Sequence, residues 1–518
     1  MTRLRGRTPG PTALNAARRR RELGEIGDGA EIDVLVIGGG IVGAGVALDA
    51  AARGLRTVLV ERADLAHGTS RWSSKLVHGG LRYLASGQVG IAHESAVERR
   101  LLMTRIAPHL TRALAQVLPL HEPSHLATGA FVGAGYGLGD ALRRSTRTPG
   151  SLLPPPRPLT RAQTLSLTPA VAPHGLRGGI QGWDGQVVDD ARLVVAVART
   201  AAGHGARILT RVAAADVGGD GCELHDTLTG ERMRVRARAV VSAAGVWAGE
   251  VVPGVRLRPS RGTHLVVDSS RLGGSDASLT VPLPGSPGRF VFTLPALHGR
   301  TYVGITDVEA DGVDDEPRAT EAEIAELLDG VSSVLAEPLT RDDVVATFSG
   351  LRPLLVGRHG DQGVTADLSR RHAVSESDDG VITVVGGKLT TYRRMAEDAV
   401  DEAVRRRVLR RARPSPTADL PLVGAWPRDR VGELAAAPRL VRRFGAEAPF
   451  VAALPDGPGA ACGVTAQELE WGIRVEGALG VADLLDRRTR LGLVAADAEA
   501  SHGAALAAFD RSGSAPAG

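Results

Sequence analysis

The chain has 518 residues, of which 43% are hydrophobic and 23% charged, with a formal net charge of +4. That length exceeds what one hydrophobic core sustains and predicts two or three domains of an ordinary soluble globular kind. Aromatic residues make up only 3%, which argues against the stacking platform of a single-strand nucleic-acid binder; the small basic excess suits an anionic small substrate or a lipid surface.

In chain order, residues 1–30 carry an arginine cluster, Arg18 to Arg21, followed by Glu22 and Glu25 where a signal peptide would need an apolar core. They read as a flexible basic tail. From Ile32 an apolar run, a glycine cluster, a small-residue helix (Ile41 to Arg53) and a second apolar run ending at Glu61 spell a βαβ unit on a buried parallel sheet. The uncharged stretch from Val34 to Leu48 is too short to span a bilayer. Helical spacing runs from Gly90 to Ile106 and stops before Pro108, and the proline-rich residues 149–158 mark a subdomain edge. A strand at Ala239 to Ser242 leads into Ala243-Ala244-Gly245. Arg256 to Phe348 reads mainly as strands, and VITVVGGKLTTYR adds another before a helix from Met395 to Arg405. An arginine- and proline-rich linker, Arg405 to Pro416, precedes a helical C-terminal domain. Cys222 and Cys462 lie far apart and form no disulfide framework, redox pair or zinc site, so a reducing cytoplasmic setting and no metal are expected.

Gly38, Gly40 and Gly43 match G-x-G-x-x-G between a strand and a helix. The first glycine allows the tight turn, the second lets backbone approach a pyrophosphate, and the third lets helix and strand pack. The helix N-terminus offers amides to the phosphates, and Glu61 stands where a ribose acceptor is needed. With one such fingerprint and no partner motif for a nicotinamide, FAD is the expected dinucleotide. Among the remaining polar residues, SKLVHGGLRYL packs Lys75, His78, Arg82 and Tyr83 around the Gly79-Gly80 pair. Asp189, Asp190 and Arg192 read as a capping and ion-pair device, and Trp72 and Trp183 as packing.

These stretches, GGGIVGAG, TSRWSSKLVHGGLRYL, VVDDARLV, RGTHLVV, TYVGITDVE, FSGLRPL and VVGGKLTTYR, resemble the FAD-dependent glycerol-3-phosphate dehydrogenases in content and order, from about Asp33 to Arg394. Glu476 to Gly492 is similar to that family's C-terminal cap. The resemblance implies an α/β fold: a glutathione-reductase-type FAD-binding Rossmann domain with a mixed-sheet substrate domain like that of amino-acid oxidases, and a small helical C-terminal domain. The corresponding division is residues 31–110, 181–255 and 350–405 for FAD, 111–180 and 256–349 for substrate, and 417–510 for the cap. It implies oxidation of sn-glycerol 3-phosphate to dihydroxyacetone phosphate with electrons passed to a membrane quinone, at the inner face of the membrane. A homodimer is compatible with the sequence.

By the same resemblance, Gly38, Gly40, Ile41, Gly43 and Glu61 contact FAD, as do Thr69, Ser70, Ser74 and Lys75. His78, Gly79 and Gly80 continue that wall, with Ala244 and Gly245 from one later segment and Gly387, Leu389 and Thr390 from another. Tyr83, His264, Arg352, Arg370 and Lys388 map to the substrate pocket. Three departures stand out: Arg71-Trp72 replaces a small-residue pair, Ala244 a common threonine, and Arg371-His372 an acid and an aromatic.

Oxidising a secondary alcohol requires an oriented C–H, a base for the hydroxyl proton and a grip on the phosphate. Arginine suits the grip through its planar fork, with Arg352 ahead of Arg370, and Lys388 can steady developing negative charge. His78 and His264 both compete for the base. An amino-acid or amine oxidase of the same architecture, or a non-catalytic flavin-binding protein, are the alternatives.

Overall fold

The computed structural model describes residues 10–80, 87–121, 124–283, 289–355, 372–407, 409 and 412–517. The apolar run Ile32–Ile37 is buried along its whole length because it sits mid-sheet. Its parallel neighbours are Thr57–Glu61 and Arg232–Ser242, flanked in turn by Arg207–Thr210 and Ile382–Val385, also parallel. Ala373–Glu376 closes one edge antiparallel. Helices Ile41–Ala52, Asp190–Gly203 and Tyr392–Arg407 bury one face in a continuous apolar core. Small residues let the first of these approach closely: a Cβ on Gly45 would stand 3.1 Å from Ala396 and Tyr392.

A second, ten-stranded mixed sheet runs from Val308–Glu309 through Leu257–Asp268 and Thr111–Leu120 to Leu76–Val77, with Val344–Leu355 paired along Leu257–Asp268. Helix Glu321–Ser332 covers its apolar face. Leu76–Val77 and Val344–Leu355 bring this sheet beside the first, so the space between them is framed by both. The fold is thus the expected α/β arrangement, a largely parallel sheet beside a mixed one. Helices Ala466–Arg474 and Ala495–Ser512 carry a separate C-terminal core. No helix among the described residues is long and apolar enough to cross a membrane.

The flexible tail expected over residues 1–30 is corrected for residues 10–30. Ala16–Gly27 is a helix capped by Asn15, with Leu23 and Ile26 buried against the first sheet. Arg19 is buried too and bonds Asp226 at 2.7 Å. Arg18 and Arg21 pair along the helix with Glu22 and Glu25, so within the cluster it is Arg19 that reaches an acid about two hundred positions away. Residues 1–9 lie outside the described residues.

Candidate flavin and substrate site

A cleft of about 440 Å³ opens at the C-terminal ends of the parallel strands, the usual ligand position in open α/β sheets. Gly38 has φ +113°, and a Cβ there would lie 2.6 Å from the Ala243 carbonyl oxygen. A Cβ on Gly43 would collide with the Gly38 carbonyl at 1.9 Å. Gly40 caps helix Ile41–Ala52 without a side chain, and its Cβ would meet only Ser70 Oγ, at 3.1 Å. The start of that helix lies at the cleft wall, where the Ile41 amide donates to Ser70 Oγ at 2.9 Å. Glu61, half-buried, accepts from the Gly39 and Ala63 amides at 2.6 and 2.8 Å. Burial pushes its carboxyl above the usual carboxylate range, and donation from ribose hydroxyls would draw it back. A side-chain-free turn, a helix N-terminus at the cleft wall and an acid at the second strand's end fit FAD.

Of the residues expected at the flavin, Gly38, Gly40, Ile41, Glu61, Thr69, Ser70, Ala244, Gly245, Gly387 and Leu389 line this cleft, together with Lys388. Gly43 lies under the turn. Gly79 is held by Asp184 through its amide and faces the Arg99 guanidinium, Gly80 has φ +79°, and His78 beside them is half-buried. Thr390 is buried. Ser74 is half-buried, and Lys75 is buried. Its ammonium turns inward to Asp190 at 3.1 Å and the Ser73 carbonyl at 2.9 Å, and burial pushes it down to about 8. Any hold on the flavin therefore falls to its backbone. Asp189 caps helix Asp190–Gly203 through the Arg192 amide, and Arg192 pairs with Glu476 at 2.7 Å.

Sequence reasoning missed several wall residues: Ser73, Arg62, Trp247 and the strand Val212–Gly218. Arg62 lies over the Trp247 ring at 4.7 Å. Its position directly after Glu61 was a usable signal; the strand carried none, since only the tertiary fold brings it to the cleft.

On the second sheet, Arg352 donates to Ser260 Oγ at 3.0 Å, Asp307 Oδ1 at 3.2 Å and the Thr306 carbonyl at 3.2 Å. It passes over Gly262, where a Cβ would come within 2.3 Å of its Nη2. Gly262→Ala is accordingly expected to displace the guanidinium and raise KM for the substrate without loss of FAD, read by steady-state kinetics on the yellow protein. Lys388 Nζ donates to Ser95 Oγ at 2.8 Å. His264 is fully buried and stands 3.0 Å, through Nε2, from Ser74 Oγ. Tyr83 and Arg370 lie outside the described residues.

Residues 33–393 match the model of the family described as FAD dependent oxidoreductase. The chain is 53% identical over 502 residues to glycerol-3-phosphate dehydrogenase 1 of Mycobacterium tuberculosis, covering 95% of this chain and 97% of that protein. The chain belongs to the FAD-dependent glycerol-3-phosphate dehydrogenase family. Aerobic glycerol-3-phosphate dehydrogenase of Staphylococcus aureus is 35% identical over 386 residues, 72% of this chain and 66% of that one. Among solved structures, the glycerol-3-phosphate dehydrogenase of Bacillus halodurans complexed with FAD superposes with a TM-score of 0.72 at 27% identity, covering 96% of this chain and 94% of that one. Membership explains the side-chain-free turn and the acid at Glu61: this is a FAD-dependent oxidoreductase.

Proposed function

We propose that this member of the family oxidises sn-glycerol 3-phosphate to dihydroxyacetone phosphate and passes the electrons to a membrane quinone. The observation that carries the substrate is the 53% identity, nearly end to end, with a glycerol-3-phosphate dehydrogenase. In this reading residues 31–110, 181–255 and 350–405 hold the flavin, residues 111–180 and 256–349 the substrate, and 417–510 cap both.

Bound FAD supplies acceptance of the hydride from C2. The chain's own residues do the rest. Arg352, braced by Asp307 and Ser260, offers its fork to the phosphate. Lys388, at the cleft wall, balances negative charge near the reacting oxygen. His78 takes the hydroxyl proton: it is half-buried and follows strand Leu76–Val77, which packs on the turn Leu389–Thr391 beside the cleft. His264, by contrast, is fully enclosed. His78→Ala is expected to slow flavin reduction at saturating substrate roughly a hundredfold with FAD retained, measured by anaerobic stopped flow. A rate near wild type would move the base elsewhere.

The acceptor is tested by reoxidation. Substrate-reduced protein mixed with a soluble quinone should regain its oxidised spectrum much faster than in air-saturated buffer. The opposite order would make the protein an oxidase.

A further inference from the structure

His264 sits at the end of a stack that begins in the C-terminal domain. The Arg490 guanidinium lies 5.3 Å from the Trp72 ring centroid, and Arg71 covers the same indole at 4.2 Å. Trp72 stacks on Phe348 with centroids 5.6 Å apart and planes 24° apart. Phe348 stacks on the His264 imidazole at 4.6 Å and 14°. Tyr302 closes the Phe348 edge at 5.0 Å. The histidine also lies against bare backbone, since a Cβ on Gly304 would come within 2.2 Å of its Cδ2. The ring plane is thus fixed, and among the described residues the one side chain that meets its nitrogens is Ser74, at Nε2. Nδ1 is buried with no hydrogen-bond partner among the described residues.

That asymmetry decides where the proton resides. A neutral imidazole has one N–H and one lone pair. A buried N–H without an acceptor loses a full hydrogen bond to water, whereas an unpaired lone pair loses less. The proton therefore belongs on Nε2, facing Ser74 Oγ. A hydroxyl that accepts there must point its own hydrogen elsewhere.

We infer that His264 is a positioning residue: it donates through Nε2–H to Ser74 Oγ and commits the Ser74 hydroxyl to donate to a bound acceptor, either flavin or the substrate's reacting oxygen. The surroundings keep the imidazole in that role. Lys75 Nζ lies 4.7 Å from the Phe348 ring, and Lys75 is paired with Asp190. Burial first, then the charges of Lys75 and Arg352, holds the ring neutral far below its ordinary range. Ser73 lines the flavin cleft, and Ser74 beside it is half-buried. The inference rests on the proposed alcohol oxidation for its catalytic meaning, but the tautomer stands independently of it.

The test uses the holoenzyme. In ¹⁵N-histidine NMR, the signals lost in His264→Gln should report a neutral Nε2–H tautomer that does not titrate between pH 5 and 9. An Nδ1–H tautomer, or titration in that window, overturns the inference. Stopped-flow reduction by glycerol 3-phosphate gives the second arm. His264→Ala should lose roughly tenfold or more with the pH profile unmoved, and His264→Gln, which places an N–H near the same point, should recover most of that loss. Ser74→Ala should lose as much as His264→Ala, and the double variant no more than either. Loss in Ser74→Ala that shows as weaker FAD binding identifies flavin as the acceptor; loss in reduction rate at full FAD occupancy identifies the substrate. Equal damage in His264→Gln and His264→Ala together with loss of the acidic limb of the pH profile would make His264 the base and overturn the inference. Failure of the wild-type flavin to bleach with glycerol 3-phosphate would sink the substrate reading alone and leave the NMR arm to decide the tautomer.

Discussion

Gly40→Val is expected to yield folded protein without flavin. Gly40 has φ −76° and ψ −177°, an extended conformation that valine adopts readily, and its Cβ meets only the Ser70 hydroxyl. The fold has no reason to object. The added branches would instead occupy the space above the helix N-terminus where the pyrophosphate approaches. FAD affinity should fall by about a hundredfold or more, which corresponds to about 2.7 kcal/mol. Absorbance of the purified protein reads the loss, and thermal unfolding at matched apo state should be close to that of the wild-type apoprotein. Gly43→Val is the informative contrast. Its Cβ collides with the Gly38 carbonyl at 1.9 Å, so it should lower the melting temperature of the apoprotein as well. A fully yellow Gly40→Val would mean that the glycine turn does not hold the cofactor.

Arg352→Lys is expected to cut kcat/KM for glycerol 3-phosphate while sparing FAD. The guanidinium reaches Ser260, Asp307 and the Thr306 carbonyl at once and keeps its fork in register. A lysine has one charged centre and cannot copy that planar bracing. Weakening a buried charged contact to a dianion costs about 2–5 kcal/mol, a loss of roughly 30-fold to several thousandfold. Turnover of plain glycerol, which has no phosphate to hold, should hardly change. A comparable fall on both substrates would indicate a collapsed site, and no fall on glycerol 3-phosphate would remove Arg352 from the phosphate grip.

The parts legible in the sequence were those encoded locally. The run Ile32–Ile37, the turn at Gly38 and the acid at Glu61 lie within thirty residues of one another, and hydrophobic pattern and glycine spacing suffice to read them. The illegible parts depend on distant partners. Helix Ala16–Gly27 looked like a solvated basic tail because Arg19 finds Asp226 only in the folded chain. Helix Ser124–Ser145 carries Gly129, Gly133, Gly135, Gly137 and Gly139, a composition with weak helix propensity, and tertiary packing on the second sheet overrides it. At the site, His264 could be named as an imidazole of interest, but its bond to Ser74 joins residues 190 positions apart. Its role therefore could not be separated from that of His78. For Lys75 the motif was readable, but the inward turn of its side chain to Asp190, 115 positions away, was not.

Anaerobic mixing of the purified yellow protein with glycerol 3-phosphate, glycerol and a set of D-amino acids, with the flavin absorption followed, separates the candidate substrates. Rapid, saturable bleaching by glycerol 3-phosphate is expected, with glycerol and the amino acids slower by orders of magnitude. Bleaching by a D-amino acid in preference to glycerol 3-phosphate would contradict it and make the protein an amine oxidase on the same fold.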